Sequence, residues 1–201
     1  MALKFAVNNS LSAITSLPSG ISGGALNLIS TQTASASATI DFTSGIDSTY
    51  DSYIFKFINI HASSLDARLT FQCSTDGGSN YNTTVTSTSF RTFHDEVDSL
   101  AIIGYQTGSD QAQGTSFERL TESFATNNDD NAGGYLQIFN PSSTTFVKHF
   151  IANTNVNRDG GGISQNFQAG YFNTTSSVNA IQFKMNSGNI DDGIIKMYGV
   201  S

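Results

Sequence analysis

Tyr53-Ile54-Phe55-Lys56-Phe57-Ile58-Asn59-Ile60 is the stretch that decides the fold class. Its residues alternate with the period of two that a pleated strand imposes. Phe55, Phe57 and Asn59 project to one side, and Ile54, Lys56, Ile58 and Ile60 to the other. Both sides are largely apolar, which predicts a central strand covered on both faces. Downstream, Ala67 to Cys73 alternates again, with Leu69, Phe71 and Cys73 opposing Arg68, Thr70 and Gln72. The next segment, Ser74-Thr75-Asp76-Gly77-Gly78-Ser79-Asn80-Tyr81, reads as a hairpin turn. Its glycines accept positive φ, and the Asp76 carboxylate can take backbone N–H groups across the turn.

The rest of the chain extends this pattern. Asn82 to Phe93 carries Thr at nearly every second place, as a half-exposed strand does. The pattern weakens from Asp95 to Asn131, where Ala101-Ile102-Ile103-Gly104-Tyr105 is a short strand candidate. Phe117, Leu120 and Phe124 stand at helical spacing, either in a helical turn or two or in a loop with three apolar anchors. Strand patterns return at Gly134 to Phe139, Thr145 to Asn153, Ile163 to Phe172, Val178 to Met185 and Gly193 to Tyr198. Turn residues punctuate them roughly every 8 to 12 positions, and about nine or ten strands follow without a βαβ rhythm. The expected fold is an all-β, jelly-roll-like antiparallel β-sandwich over residues 37–201. Residues 1–36 are rich in Ser, Ala, Gly and Thr and form an expected extended N-terminal arm. Its sparse anchors Leu3, Phe5, Val7, Leu11 and Ile14 suit either a tail with an edge strand or a segment that orders against a neighbouring subunit.

Composition narrows the function. Only 12% of the 201 residues are charged, where roughly 25% is typical of soluble domains. Small neutral polar residues fill the difference. A net charge of -7 repels phosphates and anionic headgroups, so neither nucleic acid nor membrane insertion is expected. No run approaches the roughly 18 apolar residues of a membrane helix, and the N-terminus lacks the apolar core of a secretory signal. Cys73 is alone, which excludes an intrachain disulfide and predicts a buried small hydrophobe. Durability without disulfides points to burial of subunit surface in an oligomer.

Residue patterns that carry chemistry are sparse. Glu96, Glu118 and Glu122 are the three glutamates, and the acidic group Asp95, Glu96 and Asp98 lies in a polar loop. There, nothing suggests the desolvation that readies a carboxyl for glycan hydrolysis. Gly-x-Ser-x-Gly is absent, and His61, His94 and His149 show neither H-x-H nor H-E-x-x-H spacing. Convergence of three histidines at a trimer axis is the remaining route to a metal. Asp129-Asp130-Asn131 and Asp191-Asp192 are oxygen-rich, but turn chemistry explains them without calcium. Arg158-Asp159-Gly160-Gly161-Gly162 lacks the Gly-Lys-Ser/Thr end of a phosphate loop. Ser74, Asp76 and Gly78 match part of the sialidase Asp box, which Asn80 and Tyr81 then break. No catalytic residue, cofactor or metal ligand is expected.

Several strings together resemble a group of small structural proteins widespread in marine and freshwater tailed phages, the cyanophages among them. They are Ser37 to Ile46 (SATIDFTSGI), Ser48 to Tyr53, Ser74 to Ser79, Phe139 to Thr145 (FNPSSTT), Ala169 to Thr175 (AGYFNTT) and Ile195 to Gly199. The opening Ala2-Leu3-Lys4-Phe5 is similar to the beginnings of phage tail-associated proteins. The resemblance implies a non-enzymatic virion component, tail, fibre or baseplate-associated, with a capsid decoration protein as the alternative. Its implied partners are other phage structural proteins, further copies of itself as a homotrimer, and a host-surface glycan. A reading from another class is a lectin-like module or glycan-active enzyme, with Tyr105, Tyr171 or Phe93 stacking on sugars.

Overall fold

The computed structural model describes residues 26–158 and 160–201, and among them the fold is all-β. Twelve strands follow in order: β1 Asn27–Ser37, β2 Ile40–Phe42, β3 Ser52–Ala62, β4 Leu69–Ser74, β5 Val85–His94, β6 Ala101–Tyr105, β7 Glu118–Arg119, β8 Ala132–Phe139, β9 Lys148–Asn157, β10 Ile163–Phe172, β11 Ala180–Met185 and β12 Ile190–Val200. They form an eight-stranded antiparallel sheet, β1-β12-β3-β8-β9-β10-β5-β6, and a four-stranded one, β2-β11-β4-β7. The chain alternates between the sheets from β1 to β4, and again through β7 and β8 and through β11 and β12. That alternation is compatible with a jelly roll whose larger sheet is extended by β9, β10, β5 and β6.

Phenylalanine rings fill the space where the small sheet covers the large one. The ring of Phe183 on β11 lies 5.4 Å from those of Phe55 and Phe57 on β3, and 6.2 Å from Phe42. Phe71 on β4 continues the cluster toward Phe150 at 5.2 Å and Phe172 at 6.0 Å. Most of these pairs meet edge to face, the geometry that aromatic quadrupoles prefer. Gly170 is required here, because a Cβ would lie 2.6 Å from the Phe150 ring. Cys73 is buried among these residues, and burial pushes its thiol well above the usual range, which removes nucleophilic character.

Four details correct the expectation or decide between its alternatives. First, β3 lies inside the large sheet but is covered on one face only. Tyr53, Phe55 and Phe57 are buried, whereas Ile54 and Lys56 are half-buried and Ile58 is exposed. Asn59, at φ +50, opens a bulge beside Gly193, so Ile60 and Ala62 return to the buried face instead of following Ile58 outward. A Cβ on Gly193 would meet the Asn59 carbonyl at 2.8 Å. Second, the Asp76 turn does not close a hairpin. It carries the chain from β4 in one sheet to β5 in the other. The turn itself forms as its residues predict: Asp76 accepts bonds from Ser74 Oγ, Asn80 N and Asn80 Nδ2, which hold its carboxyl down at about 2.

Third, Phe117, Leu120 and Phe124 sit in an extended segment, not a helix. Leu120 N donates to Leu69 O at 2.8 Å and Phe124 N to Ala67 O at 2.9 Å, so the segment runs along β4 and buries Leu120 and Phe124 as anchors. Fourth, residues 27–36, assigned to the arm, lie in β1 and pair with β12, so the sheet begins earlier than residue 37. Leu3, Phe5, Val7, Leu11 and Ile14 fall outside the described residues.

Candidate assembly surface

Cross-strand register places a row of side chains on the uncovered face of the large sheet. It runs Lys196, Lys56, Tyr135, Asn153, Phe167, Phe90 and Tyr105 from β12 to β6. Phe90 and Phe167 stack at 4.8 Å, nearly parallel, with Phe90 exposed. The row ends at β6, an edge strand whose outer backbone groups are unpaired among the described residues. Ala101 to Tyr105 contains no charge and no proline, the devices that usually blunt an edge. Ile103 is 73% and Tyr105 54% exposed, and Val97 at the tip of the β5–β6 hairpin is 79% exposed. Single exposed apolar residues are ordinary, but this many on one edge make it a candidate contact surface.

The hairpin tip is built from acidic residues. Asp95 accepts the backbone N–H groups of Ser99 and Leu100 and the Ser99 hydroxyl, and those bonds lower its carboxyl from the ordinary range. His94 Nε2 lies 3.1 Å from Asp98 Oδ1. The acidic loop is therefore a solvated turn, and the histidine sits on it as a surface partner.

Behind the edge lies a polar cleft of about 260 Å³ lined by Gly108 to Gln111 and Ser116 to Arg119. Glu118 is its buried carboxyl. Ser87 Oγ donates to it at 2.9 Å, Gln111 Nε2 at 2.8 Å and Gln168 Nε2 at 3.4 Å. Loss of solvation outweighs those donors and pushes the group up to about 7. The neighbouring Asp110 accepts the Tyr105 hydroxyl at 2.6 Å, which raises the phenol above its usual range. The arrangement offers hydrogen-bonding groups and one proton-holding carboxyl. Nothing in the sequence pattern separated Glu118 from Glu96; only the covering loop does.

The structure brings together two acidic loops that are distant in sequence. Asp129, Asp130 and Asn131 meet Asp191 and Asp192, with Asn59 and His61, around a depression of about 420 Å³. His61 Nδ1 lies 3.7 Å from Asp191 Oδ2. Asp130 is already engaged, accepting from Asn127 N and Asn157 Nδ2. Among the described residues no three His, Cys, Asp or Glu side chains form a metal-holding group. The histidines stay apart: His61 on β3, His94 at the end of β5, and His149 on β9, its ring 5.8 Å from Tyr171. Of the aromatic residues singled out for sugars, Tyr105 is exposed. Tyr171 and Phe93 are half-buried, Phe93 beneath the Arg158 guanidinium at 5.1 Å.

Comparison with protein-family models, curated proteins and solved structures returns no match. No helix among the described residues is long and apolar enough to cross a membrane.

Proposed function

We propose that this chain is a non-enzymatic structural protein of a tailed-phage particle, tail, fibre or baseplate-associated, that works by assembling with other virion proteins and with copies of itself. The observation that carries the assembly role is the open β6 edge, uncharged and bearing Ile103 and Tyr105 in solvent. Burying such an edge against another chain completes its backbone hydrogen bonds and removes apolar surface from water. The phage assignment rests on the FNPSSTT, AGYFNTT and related strings. Capsid decoration is the same physics on a different partner. The deciding experiment is immunogold labelling of intact particles of the phage encoding the chain. Gold on the tail is expected; gold on the head moves the protein to the capsid, and unlabelled particles sink the virion assignment. A second reading, glycan binding, is favoured by exposed Tyr105 and its partner Asp110 beside the polar cleft. Binding on a glycan array that Tyr105→Ala abolishes supports it.

A further inference from the structure

Lys56 and Lys196 stand directly opposite each other on β3 and β12. Like charges at directly opposed cross-strand positions repel. Among the described residues no carboxylate lies within 4 Å of either ammonium. The next residues in their row, Thr31 and Tyr135, are neutral. Lys56 Nζ rests 5.2 Å from the Tyr198 ring centroid, and exposed Leu28, Ile58 and Tyr135 lie beside the pair on the same face. On a chain of net charge -7, this is a cationic and apolar patch without an acid.

The tip of the β5–β6 hairpin is its complement. Glu96 and Asp98 are exposed, Glu96 without a hydrogen-bond partner among the described residues and Asp98 sharing one oxygen with His94. Val97 and Leu100 stand bare between and beside them. Strands β8, β9 and β10 separate β3 from β5, a distance of about 20 Å at the usual strand spacing, so no copy reaches its own lysines with its own tip.

We propose that the β5–β6 tip of one copy docks on the Lys56–Lys196 patch of the next, an inference that rests on the assembly reading above and names its partner. Glu96 and Asp98 bridge the two ammoniums, which relieves their mutual repulsion, and Val97 seats among Ile58 and Tyr135. Because the two surfaces differ, the contact either closes reciprocally in a two-fold dimer or repeats head to tail as a ring or a filament. Opposite charges steer the encounter, so salt weakens it.

Sedimentation velocity of the full chain at low ionic strength tests the contact. The wild type is expected to self-associate, and Lys56→Glu with Lys196→Glu, or Glu96→Lys with Asp98→Lys, to weaken association at least about tenfold. The protein carrying all four substitutions re-creates the contact with its charges exchanged and is expected to associate again. Glu96 and Asp98 are exposed and Lys56 and Lys196 half-buried on the uncovered face, and an unchanged far-ultraviolet circular dichroism spectrum establishes that the variants fold. A wild type that stays monomeric, a double variant that associates as the wild type does, or a fourfold variant without recovery each overturns the proposal. So does a monomeric wild type that binds polygalacturonate through the lysines, since the pair then reads a carboxylated glycan. Failure here leaves the particle labelling untouched, and unlabelled particles leave this contact untouched.

Discussion

The inner face of the large sheet has two halves built on opposite principles. One inner row reads Met197, Phe55, Leu136 and Ala152 across β12, β3, β8 and β9, then Gln168 and Ser89 across β10 and β5. The first half faces the small sheet and is closed by phenylalanine rings. The second faces the segment from Gln106 to Ala125 and is closed by Glu118, Glu122, Gln168, Asn166 and the Arg91 side chain. Seven buried side-chain polar atoms among the described residues lack a hydrogen-bond partner. All but Tyr81 Oη belong to Ser89, Arg91, Arg158, Asn166 and Gln168 in the polar half. Apolar contact is non-directional and tolerates imperfect fit, whereas every unmet buried donor or acceptor costs free energy. On that contrast the aromatic half is expected to hold the fold, and the polar half, which carries the β5–β6 edge, to open first.

The largest expected effect lies in the aromatic half. Phe183→Ala removes a ring that touches Phe42, Phe55, Phe57 and Phe71 and should cost about 4 kcal/mol in urea denaturation. A loss below about 2 kcal/mol breaks the comparison, because the cluster would then not be what closes the sandwich.

Next is the buried pair of Arg91 on β5 and Glu122 on the covering segment. Glu122→Ala leaves a guanidinium largely out of water without its partner and should cost about 3 kcal/mol. Arg91→Met combined with Glu122→Leu should recover most of that loss, since an apolar pair avoids the desolvation the ions suffer. If both variants lose the same stability, the pair is worth more than its desolvation cost, and the polar half is the stronger for it.

The third test, no larger than the second and spread over the pH range, sharpens the contrast through pH. Glu118 holds its proton up to about 7 when folded, against 4.5 for the free side chain. The folded state thus binds the proton more tightly than the unfolded chain. Below 4.5 both states are protonated and the group is neutral in the balance. As pH rises from there to about 7, stability is lost, and above 7 the loss is complete at up to about 3 kcal/mol. The difference in unfolding free energy between the wild type and Glu118→Gln, measured at pH 5 and pH 8, isolates this slope. A difference that does not change with pH shows that the donors from Ser87, Gln111 and Gln168 offset burial.

Much of the architecture was legible in local pattern. The alternation in β3, β10 and β11 marks strands, Cys73 and Phe71 share a buried face as their spacing predicts, and the Asp76 turn closes with the bonds its residues suggest. The candidate surface was only partly legible: uncharged Ala101 to Tyr105 is visible as a strand, but its place at the edge is not.

What the sequence by itself determined is the strand period, the turn chemistry and the scarcity of charge, because each depends on residues within a few positions of one another. Tertiary structure alone decided which strands pair. It sent the Asp76 turn between sheets instead of into a hairpin and returned Ile60 to the core at the Asn59 bulge. It also set Lys196 opposite Lys56 and separated a desolvated Glu118 from a solvated Glu96. Register and burial are settled by closing contacts between segments far apart in the chain, and no local pattern carries that information.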